Sequence, residues 1–448
     1  MPAGLALLVG AALGAQPLVL EHRAFELDNG LRVVLHAEPR APIVSVQLLV
    51  AAGARDDPAG LAGAAHLLEH ALFTGTARMP GQGFDLALEA LGGDANAWTH
   101  YDWTGFVTTT PPGALERTLV LEADRLAAPS LDPVAVATQQ RVVQAEAAGV
   151  LGTPHGQDAS VLTALLYPSG HPYGRDVMGL GGPAGAGDLG AVDAEALRAF
   201  HVERYAPSRC VLAIAGDIDL DVAEAWARAS YGAIPDRTAV ERSAVAAPVL
   251  SGERRHWLPA DVGSASLLMA WRGVPMGHPD EPTLAMLAWL LANDSPLEQR
   301  LVGRGRATSL HAWSDSWQLG GGFVVSVKAE DGKLERLQRN VDRELRRLAR
   351  DGPAPARVER AQGAWSHRWL RAADPVQGRA SLLAQCVAMG LRPDCAGDQL
   401  ARYQAVRPAD IQRVAQALVD APGRVLLSVA SDADYRRTLP GSEPVVLP

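Results

Sequence analysis

Three side chains within Gly63-Ala64-Ala65-His66-Leu67-Leu68-Glu69-His70-Ala71-Leu72-Phe73 have the types and the spacing of a reaction centre. On a helix, residues three and four positions apart share a face, so His66, Glu69 and His70 project together. Leu61, Ala65, Leu68 and Leu72 fall on a stripe roughly opposite, which burial can anchor. Two imidazoles one turn apart are a natural pair of zinc ligands, and a carboxylate beside them can take a proton from water at the metal. The competing reading is a helix whose polar face happens to carry two histidines.

A third ligand separates these readings, because a catalytic zinc site takes three protein ligands and keeps one position open. Gln140-Arg-Val-Val-Gln-Ala-Glu146 supplies a candidate in Glu146. It lies on a predicted helix that starts with Asp132 as N-cap and Pro133 at the first helical position.

The rest of the chain must hold these two helices. Ala24 to His36 reads as a hairpin around Asp28-Asn29-Gly30, and Ile43 to Ala51 as a third strand. A helix over Gly83 to Leu91 stops at Gly92-Gly93. Ala95 to Thr108 reads as strand, and Pro111-Pro112 opens a helix to about Ala127. A short helix near Val161, a helix from Asp193 to Arg204, a strand from Cys210 to Ala215 and a helix to Ser230 follow. From Ile234 to Gly252 the pattern loosens into a linker. The remainder repeats the first half: Ser264 to Trp271 matches the third strand, and Pro282 to Ala292 matches the His66 helix without its ligands. Pro408 to Leu418 and Gly423 to Asp432 echo Asp193–Phe200 and Arg209–Asp217. The predicted fold is therefore α+β, with two homologous lobes, each a mostly antiparallel sheet packed with helices. The expected boundaries are an export signal at 1–16, a metal-binding lobe at 17–233, a linker at 234–255, and a second lobe without ligands at 256–448.

Bulk properties agree with a folded protein. The 448 residues suffice for several compact units, and 48% apolar with 20% charged residues is an ordinary globular composition. A net charge of −9 argues against nucleic acid or an anionic membrane as the main partner. Three cysteines make no disulfide framework, although Cys386 and Cys395 can pair in an exported protein, and Cys210 sits in an apolar run. The opening Met1 to Ala15 resembles a secretory signal without its basic start, so a periplasmic or exported location is expected. No later stretch is long and apolar enough to cross a bilayer.

With Glu146 included, His66-x-x-Glu69-His70 and its distant glutamate resemble the pitrilysin family of zinc metallopeptidases, the inverzincins, whose motif inverts the commoner His-Glu-x-x-His order. The likeness spans nearly the whole chain and is nearest to processing-peptidase-like subunits of two lobes. Gly92-Gly93-Asp-Ala-Asn96-Ala97-Trp-Thr99 is similar to the family's Gly-Gly-x-x-Asn-Ala-x-Thr segment; His171-Pro-Tyr-Gly174, Tyr205-x-Pro207 and Gly216-Asp217 also match. The resemblance implies one zinc ion per chain on His66, His70 and Glu146, with Glu69 as general base. It further implies an edge strand at Asn96 and Ala97 that holds peptide backbone.

Two departures stand out. Gln139 occupies a position where the family often has a second glutamate, which weakens support around the metal. Val302 and Thr308 fall where self-sufficient members carry an arginine and a tyrosine that grip substrate, and Arg300, Arg304 or Arg306 would have to substitute. A homologous second subunit supplying that pair is therefore expected, with this chain as the zinc-bearing half of a heterodimer. The rival classes are a non-catalytic structural subunit and a peptide-binding module of the same fold.

Other signals carry less. Gly185-Ala-Gly-Asp-Leu-Gly190 matches a dinucleotide fingerprint but follows no convincing strand. His100 reads as a surface histidine, and His155, His256 and His367 lack partners at ligand spacing. Leu334 to Arg350 reads as a solvent-facing helix with i,i+4 ion pairs.

Overall fold

The computed structural model describes residues 18–445 apart from 152, 154–155, 169, 180–188, 238–240, 243–244, 247, 330–332 and 432–436. The leader, His155 and most of the Gly185–Gly190 stretch lie outside the described residues. Two six-stranded sheets organise the chain. The first contains β1 (Arg23–Glu26), β2 (Arg32–Ala37), β3 (Val44–Val50), β4 (Asp94–Thr99), β5 (Thr104–Thr110) and β6 (Cys210–Gly216), in the order β1-β2-β6-β3-β5-β4. Only β2 and β6 pair in parallel. The second contains β7 (Gly252–Pro259), β8 (Ser266–Gly273), β9 (Ala307–Trp317), β10 (Gly320–Ala329), β11 (Gly423–Ala430) and β12 (Glu443–Pro444), in the order β12-β7-β11-β8-β10-β9. Here β7 pairs in parallel with both neighbours, and the other pairings are antiparallel.

The first-half helices are α1 (Ala64–Ala71), α2 (Gly83–Ala90), α3 (Leu115–Ala127), α4 (Pro133–Leu151), α5 (Asp158–Leu166), α6 (Ala194–Arg204) and α7 (Leu220–Tyr231). The second half adds α8 (Glu281–Asn293), α9 (Pro296–Leu301), α10 (Leu334–Asp351), α11 (Pro355–Ala373), α12 (Val376–Ala388), α13 (Cys395–Gln404) and α14 (Pro408–Val419). One apolar core lies between the first sheet and α1, α3, α6 and α7; its counterpart lies between the second sheet and α8, α10 and α14.

The opposite face of each sheet is covered by a helix from the other half. On the first sheet, Val34, Leu49, Val211 and Ala213 pack against Ala380, Leu383 and Ala384 of α12. On the second, Leu268, Ala270, Val324 and Leu427 pack against Val161, Leu162 and Leu166 of α5. Coverage on both faces explains why β3, Val-Ser-Val-Gln-Leu-Leu-Val, is buried along its whole length and not at alternate positions. Its one amide is satisfied across the seam: Gln47 donates to the Phe106 carbonyl at 3.0 Å and accepts from the Ser381 hydroxyl of α12 at 3.0 Å.

Three local expectations need correction. Ala95–Thr108 is not one strand but a hairpin, because Asp102 turns inward and is fully buried. Its carboxylate accepts from Arg55 Nη1 (3.0 Å), the Tyr173 hydroxyl (2.8 Å) and the backbone N–H of Gln318 (2.9 Å) in the β9–β10 turn. A strand reading counts side-chain alternation and cannot anticipate a carboxylate consumed by a distant arginine. The Leu334–Arg350 helix is not simply solvent-facing: Leu334, Leu337, Val341, Leu345 and Leu348 are buried. Glu344 beside them is buried too, paired with Arg300 (2.9 Å) and Arg347 (2.8 Å). Finally, β7 already begins at Gly252, inside the stretch read as linker.

The exchange of α5 and α12 makes a quantitative expectation. Leu383 is fully buried in the α12 seam. Leu383→Ala should lower unfolding stability by about 2–5 kcal/mol in chemical denaturation. A loss within about 0.5 kcal/mol would show that α12 is not a structural part of the first sheet's packing.

Candidate metal centre

The site starts with how α1 is held. Gly63 stands at its N-terminus with φ 89°, a left-handed conformation, and a Cβ there would approach the Gly179 Cα to 2.9 Å. The free N–H groups of the first turn are taken by Asp57, which is buried six residues upstream of Gly63. Its carboxylate accepts from Gly63 N (2.7 Å) and Ala65 N (2.8 Å). Burial pushes the Asp57 carboxyl up to about 7, with those two N–H groups pulling the other way. Arg175 donates to the Asp57 carbonyl and closes the loop from outside. Ala65, Leu68, Ala71 and Leu72 then bury against the core, as the opposite stripe requires, while Leu61 is only partly covered.

The second helix, α4, is capped by Asp132, whose Oδ1 accepts from Val134 N (2.9 Å) and Ala135 N (3.1 Å). Its buried seam is narrow: Val136, Val143 and Ala147, at heptad-like spacing, seat it against α1. Gln140 fixes its rotation by donating to the carbonyls of Leu189 (3.1 Å) and Val192 (2.8 Å). Glu146 emerges beside the two histidines. Glu146 Oε2 lies 3.5 Å from His70 Nε2 and 3.9 Å from His66 Nε2, and the imidazoles meet edge-on with centroids 4.8 Å apart.

One ligand atom from each of His66, His70 and Glu146 falls within 4.8 Å of the others, the group of metal-ligating type found among the described residues. Bonds of about 2.0–2.2 Å in a tetrahedron place ligand atoms about 3.3 Å apart. The separations from Glu146 exceed that by about 0.2 Å to His70 and about 0.6 Å to His66, and all three ligand atoms stay within 4.8 Å of one another. The donor chemistry fits as well. His66 is driven down to about 4 by burial and, secondarily, by His70, so it is a neutral imidazole with a lone pair to give. Its Nδ1 is buried without a hydrogen-bond partner among the described residues, and its Nε2 is the nitrogen turned towards Glu146.

Glu69 shares the face with both histidines but is oriented differently. It is buried, and burial pushes its carboxyl up to about 7; the hydrogen bond from the Thr99 hydroxyl at 2.5 Å opposes this. Nearby, Arg125 is enclosed within the core, its guanidinium 4.6, 4.7 and 4.5 Å from the rings of Phe73, Phe84 and Phe106. It pairs with buried Glu122, which also accepts from the Thr108 hydroxyl. This anchors Phe73 just past the end of α1 and leaves a cation whose field favours an ionised Glu69.

Beside α1, β4 is the edge of the first sheet and carries Asn96 and Ala97. The Ala97 N–H is not spent on β5; it donates to Asn96 Oδ1 at 2.8 Å. The structure thus brings His66, Glu69, His70 and Glu146 together and sets Asn96 and Ala97 on the adjoining open strand. Gln139 is half-buried two turns before Glu146 on α4. The other expected substrate contacts stay in the second half: Arg300 is paired with Glu344, Val302 packs on the second core, and Thr308 is exposed on β9. The elements in substantial contact with α1 all belong to the first half.

Comparison with known proteins gives the family and the fold. A model described as insulinase, peptidase family M16, matches residues 32–166, and one described as the peptidase M16 inactive domain matches 191–364. The chain belongs to the M16, or pitrilysin, family. Within that family, it is 29% identical over 350 residues to a Mycobacterium leprae protein described as a zinc protease, spanning 75% of this chain and 76% of the relative. It is 25% identical over 364 residues to zinc protease PqqE of Helicobacter pylori, spanning 79% and 80%. A crystal structure of a protease from Helicobacter pylori superposes with a TM-score of 0.83 at 21% identity, over 92% of this chain and all of that one. Pitrilysin superposes with 0.77 at 20% identity, over 92% of this chain and 45% of its own. The M16 model named for an inactive domain falls largely on the half without the cluster.

Sequence reasoning missed Asp57, Arg125 and the role of Gln140. Asp57-Pro58 before a glycine-rich segment was a readable capping signal. Asp57→Ala should lower stability by roughly 1–2 kcal/mol, the cost of a lost helix cap, and also weaken zinc uptake in a chelator competition. Unchanged stability and zinc affinity would mean that α1 is held by its core contacts alone.

Proposed function

We propose that this chain is a zinc-dependent endopeptidase that hydrolyses peptides or unfolded segments. The observation that carries the reading is the convergence of His66, His70 and Glu146 from two separately capped helices, with buried Glu69 on the same face. When bound, zinc supplies Lewis-acid polarisation of a carbonyl and of water. His66, His70 and Glu146 would hold it, two neutral imidazoles and one carboxylate leaving a single positive charge at the centre. Glu69 takes a proton from the attacking water and returns it to the leaving amine. Its burial supports this role, because a carboxyl whose affinity for protons is raised towards neutral pH is a better acceptor than an exposed one. An extended peptide adds as a further strand on the open side of β4, fixed in register by main-chain hydrogen bonds. The Asn96 side chain, now on the Ala97 N–H, must release that group as the peptide binds.

The chain would act with a homologous second subunit. Support comes from the position of α1, whose main neighbours are all in its own half, and from the absence of an arginine–tyrosine pair around Val302 and Thr308. Arg300 is already committed to Glu344, so a partner would provide the grip on substrate. We further propose export to an oxidising compartment, a reading supported by the disulfide between Cys386 and Cys395, which joins the end of α12 to the start of α13.

Glu69→Gln should retain about one zinc per chain while peptide turnover falls by roughly 10²–10⁴-fold. A peptide-binding module would bind its peptide equally well with either residue and show no turnover to lose. Activity should rise when the homologous partner is added to the purified chain. Full-rate cleavage by the chain alone would contradict the two-subunit arrangement.

A further inference from the structure

Thr99 closes β4, and its hydroxyl donates to Glu69 Oε2 at 2.5 Å. Side chains alternate along a strand, so Thr99 shares a face with Ala97, which packs against the core that contains α1. The second carboxylate oxygen of Glu69 receives no hydrogen bond among the described residues. One oxygen is therefore held by the strand and the other is left for a reacting group.

The donor is itself fixed in place. Immediately after Thr99, the His100 and Tyr101 carbonyls accept from Ala54 N and Arg55 N, both at 3.0 Å. Gly53 permits that approach, since a Cβ there would come within 2.3 Å of the His100 oxygen. Asp102, two residues further on, is held by Arg55, Tyr173 and Gln318. Thr99 thus ends a strand whose turn is bolted to the rest of the molecule. The same strand has its other edge open.

We propose that Thr99 is a positioning residue: through its hydroxyl it sets the orientation of the Glu69 carboxylate and ties that orientation to the strand on which substrate lies. This rests on the peptidase reading above. A peptide paired with the β4 backbone is placed in register with Thr99, and through one hydrogen bond with Glu69. Glutamate otherwise keeps rotamer freedom that a reaction geometry must remove. Because the peptide would use main-chain groups of β4 and not the Thr99 hydroxyl, the loss should fall on turnover and not on binding.

The experiment compares Thr99→Val, which keeps the β-branched shape, with Thr99→Ser, which keeps the hydroxyl. Each is measured with zinc loaded, by steady-state cleavage of a quenched fluorogenic peptide, zinc stoichiometry and thermal melting. Thr99→Val is expected to lose about 10–100-fold in kcat, with KM within about twofold and zinc content unchanged; Thr99→Ser is expected to recover most of the loss. Wild-type kcat in Thr99→Val, or an equal loss in Thr99→Ser, overturns the proposal while leaving the peptidase reading intact. A fall in zinc content or melting temperature matching the fall in rate overturns it in favour of a purely structural hydroxyl. Zinc-loaded wild-type protein that cleaves no peptide, with or without a homologous partner, overturns the peptidase reading and this role with it.

Discussion

The Asp57 carboxylate, buried against the first turn of α1, is the contact on which the site depends. A helix of eight residues is far too short to persist on its own propensity, so its position must come from its ends and its packing. Asp57 fixes the start, Gly63 supplies the left-handed entry, and Phe73 is fixed just past the end by stacking on Arg125. Between these points every residue of the helix but His70 is buried, and the Glu69 carboxylate is further held by the Thr99 hydroxyl. The ligand that must adapt is then Glu146, the most exposed of the four groups. The like charge of Glu146 already adds to the raised proton affinity of Glu69, and a cation bound between them would offset it.

The two halves show how one architecture can be kept with and without chemistry. Both carry a six-stranded sheet with an exposed edge and a helix after the second or third strand, but α8 is an apolar helix with no ligand on it. The halves are not independent: each covers the back of the other's sheet with a helix, and β3 is buried on both faces as a result. Asp102 adds a polar counterpart to this exchange, since it joins the turn of the β4–β5 hairpin to the β9–β10 turn. The second half therefore contributes to the site indirectly, by holding β4 in place.

Much of this was legible in the chain. The His66–Glu69–His70 face followed from the 3.6-residue period, and the helix carrying Glu146 from its Asp132-Pro133 start, whereas Glu146 as third ligand followed from the resemblance to the family's motif. The hairpin around Asn29-Gly30 and the repeat of strand and helix patterns followed from similarly local rules. What escaped depends on groups far apart in sequence. Glu122 and Arg125 look like an ordinary exposed i,i+3 pair, and only tertiary packing puts both inside. Asp102 reads as one polar position in an alternating strand until Arg55, Tyr173 and Gln318 converge on it. The Leu334–Arg350 helix is so rich in arginine that its buried leucine stripe was outweighed by its charge. Thr99 was visible as part of a motif, but its contact with Glu69 exists only once β4 lies against α1.

In the proposed centre, His66, Glu69, His70 and Glu146 from α1 and α4 would surround one metal ion, with the two histidines and Glu146 binding it. X-ray absorption at the zinc edge of the zinc-loaded protein tests it most directly. The account predicts one zinc per chain with two imidazole nitrogens at about 2.0–2.1 Å and carboxylate oxygen at about 2.0–2.2 Å, and loss of the imidazole scattering when His66 and His70 are both replaced. Sulfur in the coordination sphere, or a zinc environment that survives that double replacement, would contradict it.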